Sequence, residues 1–362
     1  ATPVATSTTP VIATAPPADL SPAAEPEGTF AVIRWRAPSR TFSAVRDIMG
    51  LEVPVEELVD EVLRARTATP LIAMDAPVDA VFALDPNAPD TKPMPLAAFS
   101  IGLRSLEEAR TGLNKGKASD ELAPGVFRVD AGRRNGLVCV IGASVGPAPA
   151  RLVCGDREKE VLSLQPYLSR GLPSVAMPDK DLWAEVRFAP VQRKFGAQLP
   201  GYLTWAANFA SYQIGTGDRK LDGAIKQAMG GIATETVSLA NDLDKLTLFV
   251  DVNGASQAAE AEVALKLKGR ESWFTQRFFE KAGEAGPAPA IFWRAPVDSE
   301  SVIYGRGGDP KAWAAVRKSS GDLLDGLTSQ VEFPAAERKK ARDLASRPRR
   351  ARLGVGAAGL DP

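Results

Sequence analysis

The segment Ile33-Arg34-Trp35-Arg36-Ala37-Pro38 returns, one residue shorter, as Val186-Arg187-Phe188-Ala189-Pro190. Each copy reads as a short strand that stops at a proline, which has no N–H to give to a ladder, and leads into a helix. After the first copy, Phe42, Val45, Ile48 and Met49 share one helical face, and Pro54 opens a second helix to Arg66 with early glutamates and a late arginine. After the second copy, residues 201–214 and 220–243 form the matching helical pair, interrupted by Gly215-Thr216-Gly217-Asp218.

Two further correspondences follow in the same order. Strand pairs at 81–84 with 96–103, and at 246–252 with 263–267, each lead into a short amphipathic helix, Leu106–Leu113 and Trp273–Phe279. Arg151-Leu152-Val153-Cys154-Gly155-Asp156 then matches Ser301-Val302-Ile303-Tyr304-Gly305-Arg306, both ahead of a helix. Any one match is short enough to arise by chance; their shared order predicts two diverged repeats of a strand-helix-helix-strands-helix unit. The fold class expected is α+β, with an antiparallel sheet in each unit and amphipathic helices covering one face. The alternation in 261–267 has the period of two of a strand with one solvated face.

The domain boundaries follow. Residues 1–28 are almost entirely Ala, Thr, Pro and Ser with no aromatic residue, and they cannot bury enough apolar surface to offset chain entropy. They read as a disordered tether of the kind that holds an exported domain off a membrane, with an interdomain linker as the other reading. Residues 29–178 and 179–330 are the two repeat units, and 331–362 form a basic helical segment and flexible tail. The chain opens at Ala1 rather than Met, which fits either a mature product or a trimmed sequence.

Cys139 and Cys154 flank a Gly-Pro-rich turn in GLVCVIGASVGPAPARLVCGD (136–156). The arms on either side can fold back as a hairpin, and cross-strand pairing then brings the sulfurs within bonding range. A disulfide is the expectation, with two buried thiols as the alternative. It points to an oxidising compartment, the periplasm or the outer surface of a bacterial envelope.

Composition supplies the exclusions. Lys plus Arg equals Asp plus Glu at 44 each, so no global field draws the chain to nucleic acid or to an anionic membrane. The only membrane attachment expected is through an N-terminal anchor. With no histidine, neither a Ser-His-Asp nor a Cys-His site is available, and no imidazole can ligate a metal. No cofactor is called for. Gly112-Leu-Asn-Lys-Gly116-Lys117-Ala118-Ser119 lacks both the spacing and the hydroxyl of a nucleotide loop and reads as a helix C-cap and turn, while Gly305 to Pro310 reads as a capped turn. Asp75, Asp79, Asp85 and Asp90 sit at strand ends beside Pro, Ala or Asn, where Asp satisfies turn backbone, with a calcium-stabilised loop as the sharper reading.

The Ala, Arg, Gly and Pro bias, the tether, and the phrases FSIGLRSLEEA (99–109) and RLVCGD (151–156) resemble uncharacterised exported cell-envelope proteins of high-GC bacteria. That resemblance implies a compartment and brings no catalytic residue. The function expected is a non-catalytic envelope binding or scaffold module that acts through a groove or face between the repeat units. The alternatives are a periplasmic carrier of a lipid or other hydrophobic ligand, and an enzyme using carboxylate or Ser-Lys chemistry. The partner expected is an envelope protein or a hydrophobic ligand. The binding residues expected are Arg34, Trp35 and Arg36 with their counterparts Arg187 and Phe188, aromatic area giving affinity and Arg giving orientation. Within the first strand, Trp35 is expected in the core with its two arginines outside. The aromatic face of Trp273, Phe274, Phe278 and Phe279 is read as core packing, or as an exposed partner-binding or lipid-touching face.

Overall fold

Antiparallel pairing accounts for most of the architecture in a computed structural model of the chain. It describes residues 20–55, 69–89, 95–114, 119–129 and 136–279, with a few isolated positions besides. The expected helix over 54–66, the Gly305 turn, the 301–327 match and the basic segment therefore lie wholly or mostly outside the described residues.

The elements run β1 (Thr29–Trp35), α1 (Pro38–Met49), β2 (Val78–Leu84), β3 (Pro95–Gly102), α2 (Leu106–Leu113), β4 (Glu121–Ala123), β5 (Val126–Val129), β6 (Val138–Gly142) and β7 (Arg151–Gly155). They continue with α3 (Glu158–Pro166), β8 (Leu182–Arg187), α4 (Ala189–Phe195), α5 (Leu199–Gln213), α6 (Arg219–Asp242), β9 (Leu243–Asn253), β10 (Ala258–Leu267) and α7 (Trp273–Phe279). The strands form one ten-stranded sheet in the order β10-β9-β8-β1-β2-β3-β7-β6-β5-β4. The class is α+β as expected, but the sheet in each half is replaced by one continuous sheet. β1 and β8, the two strands of the opening sequence match, pair with each other, Ala31 opposite Val186 and Ile33 opposite Ala184.

Local chemistry sets the element ends. α1 begins on Pro38, whose missing N–H costs nothing at a first helical position, and ends on Gly50, whose φ of 63° is a left-handed cap. α2 is capped by Ser105, whose hydroxyl accepts from the Glu108 N–H at 3.3 Å. It stops at Asn114, whose N–H donates to the Gly112 carbonyl, so the glycine-rich segment begins with the helix cap that its sequence predicts.

Helices cover both faces of the sheet rather than one. On one face Val32, Val81, Ala98, Val140 and Val153 pack under α3, which contributes Val161 and Leu164, and under the following turn with Leu168 and Leu172. On the other face Cys139, Ile141, Leu152 and Cys154 pack under Ala109 and Leu113 of α2. Every residue of β7 is buried, so strict alternation of apolar and polar residues is missing where the sheet is covered twice. β10 is the reverse case: it is an edge strand, exposed along nearly its whole length, so Val263 and Leu265 face solvent where one buried face was expected.

By compactness the chain divides into two units, residues 1–190 with 245–264, and residues 191–244 with 265–362. Within the second, α5 and α6 form a helical hairpin. Asp218 caps α6 by accepting from the N–H groups of Lys220 and Leu221 at 2.7 and 3.0 Å. At the far end, buried Asp242 accepts from the N–H groups of Glu271 and Ser272 at 2.9 and 2.7 Å and from the Thr275 hydroxyl. Burial pushes its carboxyl up, but these donors outweigh that and hold it below the usual carboxylate range.

Cys139 and Cys154 are register partners in β6 and β7 and form a disulfide with Cα atoms 4.2 Å apart. The bond is consistent with an extracytoplasmic protein. Among the described residues no helix is long and apolar enough to cross a membrane. Closing a 15-residue loop should contribute about 3 kcal/mol through the unfolded state. The Cys139→Ala/Cys154→Ala variant is therefore expected to lose roughly that much stability in urea unfolding. A loss near zero would show that the bridge restrains little.

Candidate functional site

Three strands place charged and polar side chains in one row on the α3 face of the sheet. Arg34 on β1 is opposite Asp79 on β2, and Asp79 is opposite Ser100 on β3. One strand further, Arg151 opens β7 opposite Gly102. The period of two puts Arg34 on the face of Val32, and Arg151 on the face of Val153.

These groups have almost no access to water: Arg34 is 3% exposed, Asp79 0% and Arg151 1%. Arg34 Nε donates to Asp79 Oδ1 at 2.8 Å, and its Nη1 donates to the Val175 carbonyl at 2.9 Å. Arg151 Nη2 donates to Asp79 Oδ2 and, at 2.9 Å, to Ser100 Oγ, while its Nη1 reaches the Pro77 carbonyl at 2.6 Å. One carboxylate thus bridges two guanidinium groups. The cluster carries two positive charges and one negative, a buried excess of one positive charge. Burial, and secondarily the like charge of Arg34, pull the Arg151 pKa below its ordinary value against the opposing pull of Asp79. Arg151 Nε is buried and has no acceptor among the described residues.

A cavity of about 220 Å³ opens beside this cluster. Arg34, Arg36, Asp79 and Arg151 supply its polar lining, and Pro77 and Val175 are among its apolar walls. All of its lining falls between residues 34 and 177. Liquid water occupies about 30 Å³ per molecule, so the space matches roughly seven waters or one small ligand.

Of the residues expected to bind, the structure brings Arg34 and Arg36 together at this cavity. The arrangement within β1 is the reverse of the expectation, because Arg34 points into the core. Trp35 lies on the opposite face, half-buried, with its ring 5.3 Å from that of Phe42 and its Nε1 donating to Thr41 Oγ1 at 2.8 Å. Arg36 lines the cavity and also pairs with exposed Asp179. Arg187 and Phe188 are not in the cavity lining. Arg187 pairs with Glu185 and Glu25, and Glu185 also takes Lys245 Nζ at 3.0 Å. Burial lowers the Arg187 pKa and raises that of Glu185, but the pairing outweighs burial in both, raising the arginine and lowering the glutamate.

The acidic group at 75–90 disperses. Asp75 accepts from Ser39 Oγ, Asp85 accepts from the Asn87 N–H at 2.9 Å as a turn residue does, and Asp90 lies outside the described residues. Asp79, read from its neighbours as another turn residue, is the centre of the site instead. Arg151 was missed altogether. The available signal was a charged residue heading the uninterrupted apolar strand Leu152-Val153-Cys154. Among the described residues no group of three or more His, Cys, Asp or Glu side chains could hold a metal. No protein-family model, curated protein or solved structure matches the chain.

Removing the shared carboxylate leaves two buried guanidinium groups facing each other. Asp79→Asn should cost about 3–5 kcal/mol in urea unfolding, the usual penalty for an uncompensated buried charge. A cost below about 1 kcal/mol would mean that water or carbonyl oxygens already neutralise the arginines.

Proposed function

We propose that the protein is a non-catalytic binding module of the cell envelope that captures a small anionic group, a carboxylate or a phosphate, in the Arg34–Arg36–Arg151 cavity. The observation that carries this reading is the buried excess of one formal positive charge, two arginines to one aspartate, beside a cavity of about 220 Å³. An isolated buried charge is costly, and an anion seated against Arg36 and Arg151 relieves that cost while making charge-assisted hydrogen bonds. The ionisable groups lining the cavity are three arginines and an aspartate already held by two of them, which favours binding over proton transfer. The core under α3 is filled by Val81, Val140, Val153, Val161 and Leu164, all fully buried, and this favours an anion site over an apolar carrier cavity there.

The finer fold proposal, two diverged repeats, also has support. β1-β2-β3 and β8-β9-β10 are both neighbouring triplets, and they meet at the β1–β8 pair. The sequence match places Ile33 on Val186, an offset of 186 − 33 = 153. That offset carries Val32 onto Glu185, and Val32 and Glu185 are register partners. A local twofold through the seam requires such a self-paired position. Under this reading the anion cavity belongs to the first repeat, and Arg187 is the second repeat's relic of Arg34.

Titration of the purified chain with inorganic phosphate and with short carboxylates, followed by calorimetry, tests the binding proposal. Arg36→Ala should weaken anion binding about tenfold, the order expected for one charge-assisted hydrogen bond. Its thermal midpoint should stay nearly unchanged, because the side chain is 40% exposed. Unchanged anion binding in that variant, or no anion binding by the parent, would overturn the reading.

A further inference from the structure

The α5–α6 hairpin carries a surface that the anion cavity does not involve. α5 contains fifteen residues and not one charged side chain. Ala207 is its buried residue. Tyr202, Trp205, Phe209 and Tyr212 recur at intervals of three, four and three, which places them on a single face. They stand 58%, 66%, 53% and 83% exposed, and Ile214 at the end of the helix is exposed as well. The Trp205 and Phe209 rings stack on each other with centroids 5.6 Å apart, and both side chains remain more than half exposed. Four aromatic side chains exposed to this degree present on the order of 500 Å² of largely apolar surface. A soluble monomer rarely shows so large a contiguous patch without using it.

We propose that this face docks in the headgroup layer of an anionic lipid membrane, with α5 lying in the plane of the surface. Three observations select that occupant. The patch is built from Trp and Tyr as well as Phe, whose apolar rings carry a polar tip and settle where hydrocarbon meets water. Over residues 189–231 the chain has five basic side chains, Arg193, Lys194, Arg219, Lys220 and Lys226, against two acidic ones, Asp218 and Asp222. Exposed Arg193 precedes α5, and exposed Arg219 and Lys220 open α6, so cations bracket the aromatic row along the chain and complement anionic headgroups. Both acidic groups are engaged in the hairpin turn, Asp218 as the α6 cap and Asp222 accepting from the Thr216 N–H and hydroxyl at 2.7 and 2.8 Å. Finally, α5 is about 22 Å long, short of the roughly 30 Å hydrocarbon core, so it lies on a membrane and does not span it.

Flotation of the full chain with vesicles of phosphatidylethanolamine and phosphatidylglycerol at three to one, and with vesicles of phosphatidylcholine alone, tests this. We expect association with the anionic vesicles and at least tenfold weaker association with the neutral ones. Trp205→Ser/Phe209→Ser should reduce flotation at least tenfold at an unchanged thermal midpoint. Arg219→Gln/Lys220→Gln should narrow the difference between the two vesicle types. Equal flotation of parent and Trp205→Ser/Phe209→Ser protein, or no flotation of the parent, overturns the proposal. So does a concentration-dependent dimer, seen by light scattering, that is lost in the aromatic variant while vesicles are ignored, because the face would then serve a second copy.

Discussion

A carboxylate shut away from water must be neutralised where it stands, and Asp79 is neutralised by two arginines from strands far apart in the chain. Its partners lie 45 and 72 residues away. Through them one side chain ties β1, β2 and β7 together, with Ser100 bringing in β3. Replacing such a cluster with apolar residues often costs a protein nothing in stability, so its presence argues for a requirement other than stability. The imbalance of two cations to one anion, set against a cavity, supplies that requirement in our reading.

The surroundings keep the cluster from relaxing. Arg151 begins a strand whose every residue is buried, and three residues later Cys154 is bonded across to β6. Arg34 is anchored at its other end by the Val175 carbonyl, in the segment that follows the turn after α3. The guanidinium groups are thus aimed by rigid strands before any ligand arrives, which lowers the ordering cost of binding. Arg36, one step beyond β1 and partly exposed, is the group at this site best able to adjust.

Much of this was readable from residues alone, and the failures share a cause. The Pro38 helix start, the cysteine hairpin, the cap after Leu113, and the uncharged helix at 201–214 are local features, each determined by a few neighbouring residues. The hairpin disulfide was legible because its two arms are adjacent in sequence. The single sheet was not, because joining β1 to β8 depends on an edge-to-edge pairing that no local pattern encodes. The same limit applies to Asp79, whose neighbours Ala76, Pro77 and Val78 suggest a turn, while its burial depends on Arg34 and Arg151. The arginines at 34 and 36 both line the cavity, but Arg34 points into the core where it was expected outside. A charged residue in a strand is read as solvent-facing unless its buried partner is known.

The central claim is that the cavity beside Asp79 holds an anion. It is tested most directly by a crystal structure of the protein soaked in selenate, whose selenium scatters anomalously. We expect an anomalous peak within hydrogen-bonding distance of Arg36 and Arg151 inside the cavity. A cavity empty of anomalous signal while selenate occupies other surface sites would contradict the account.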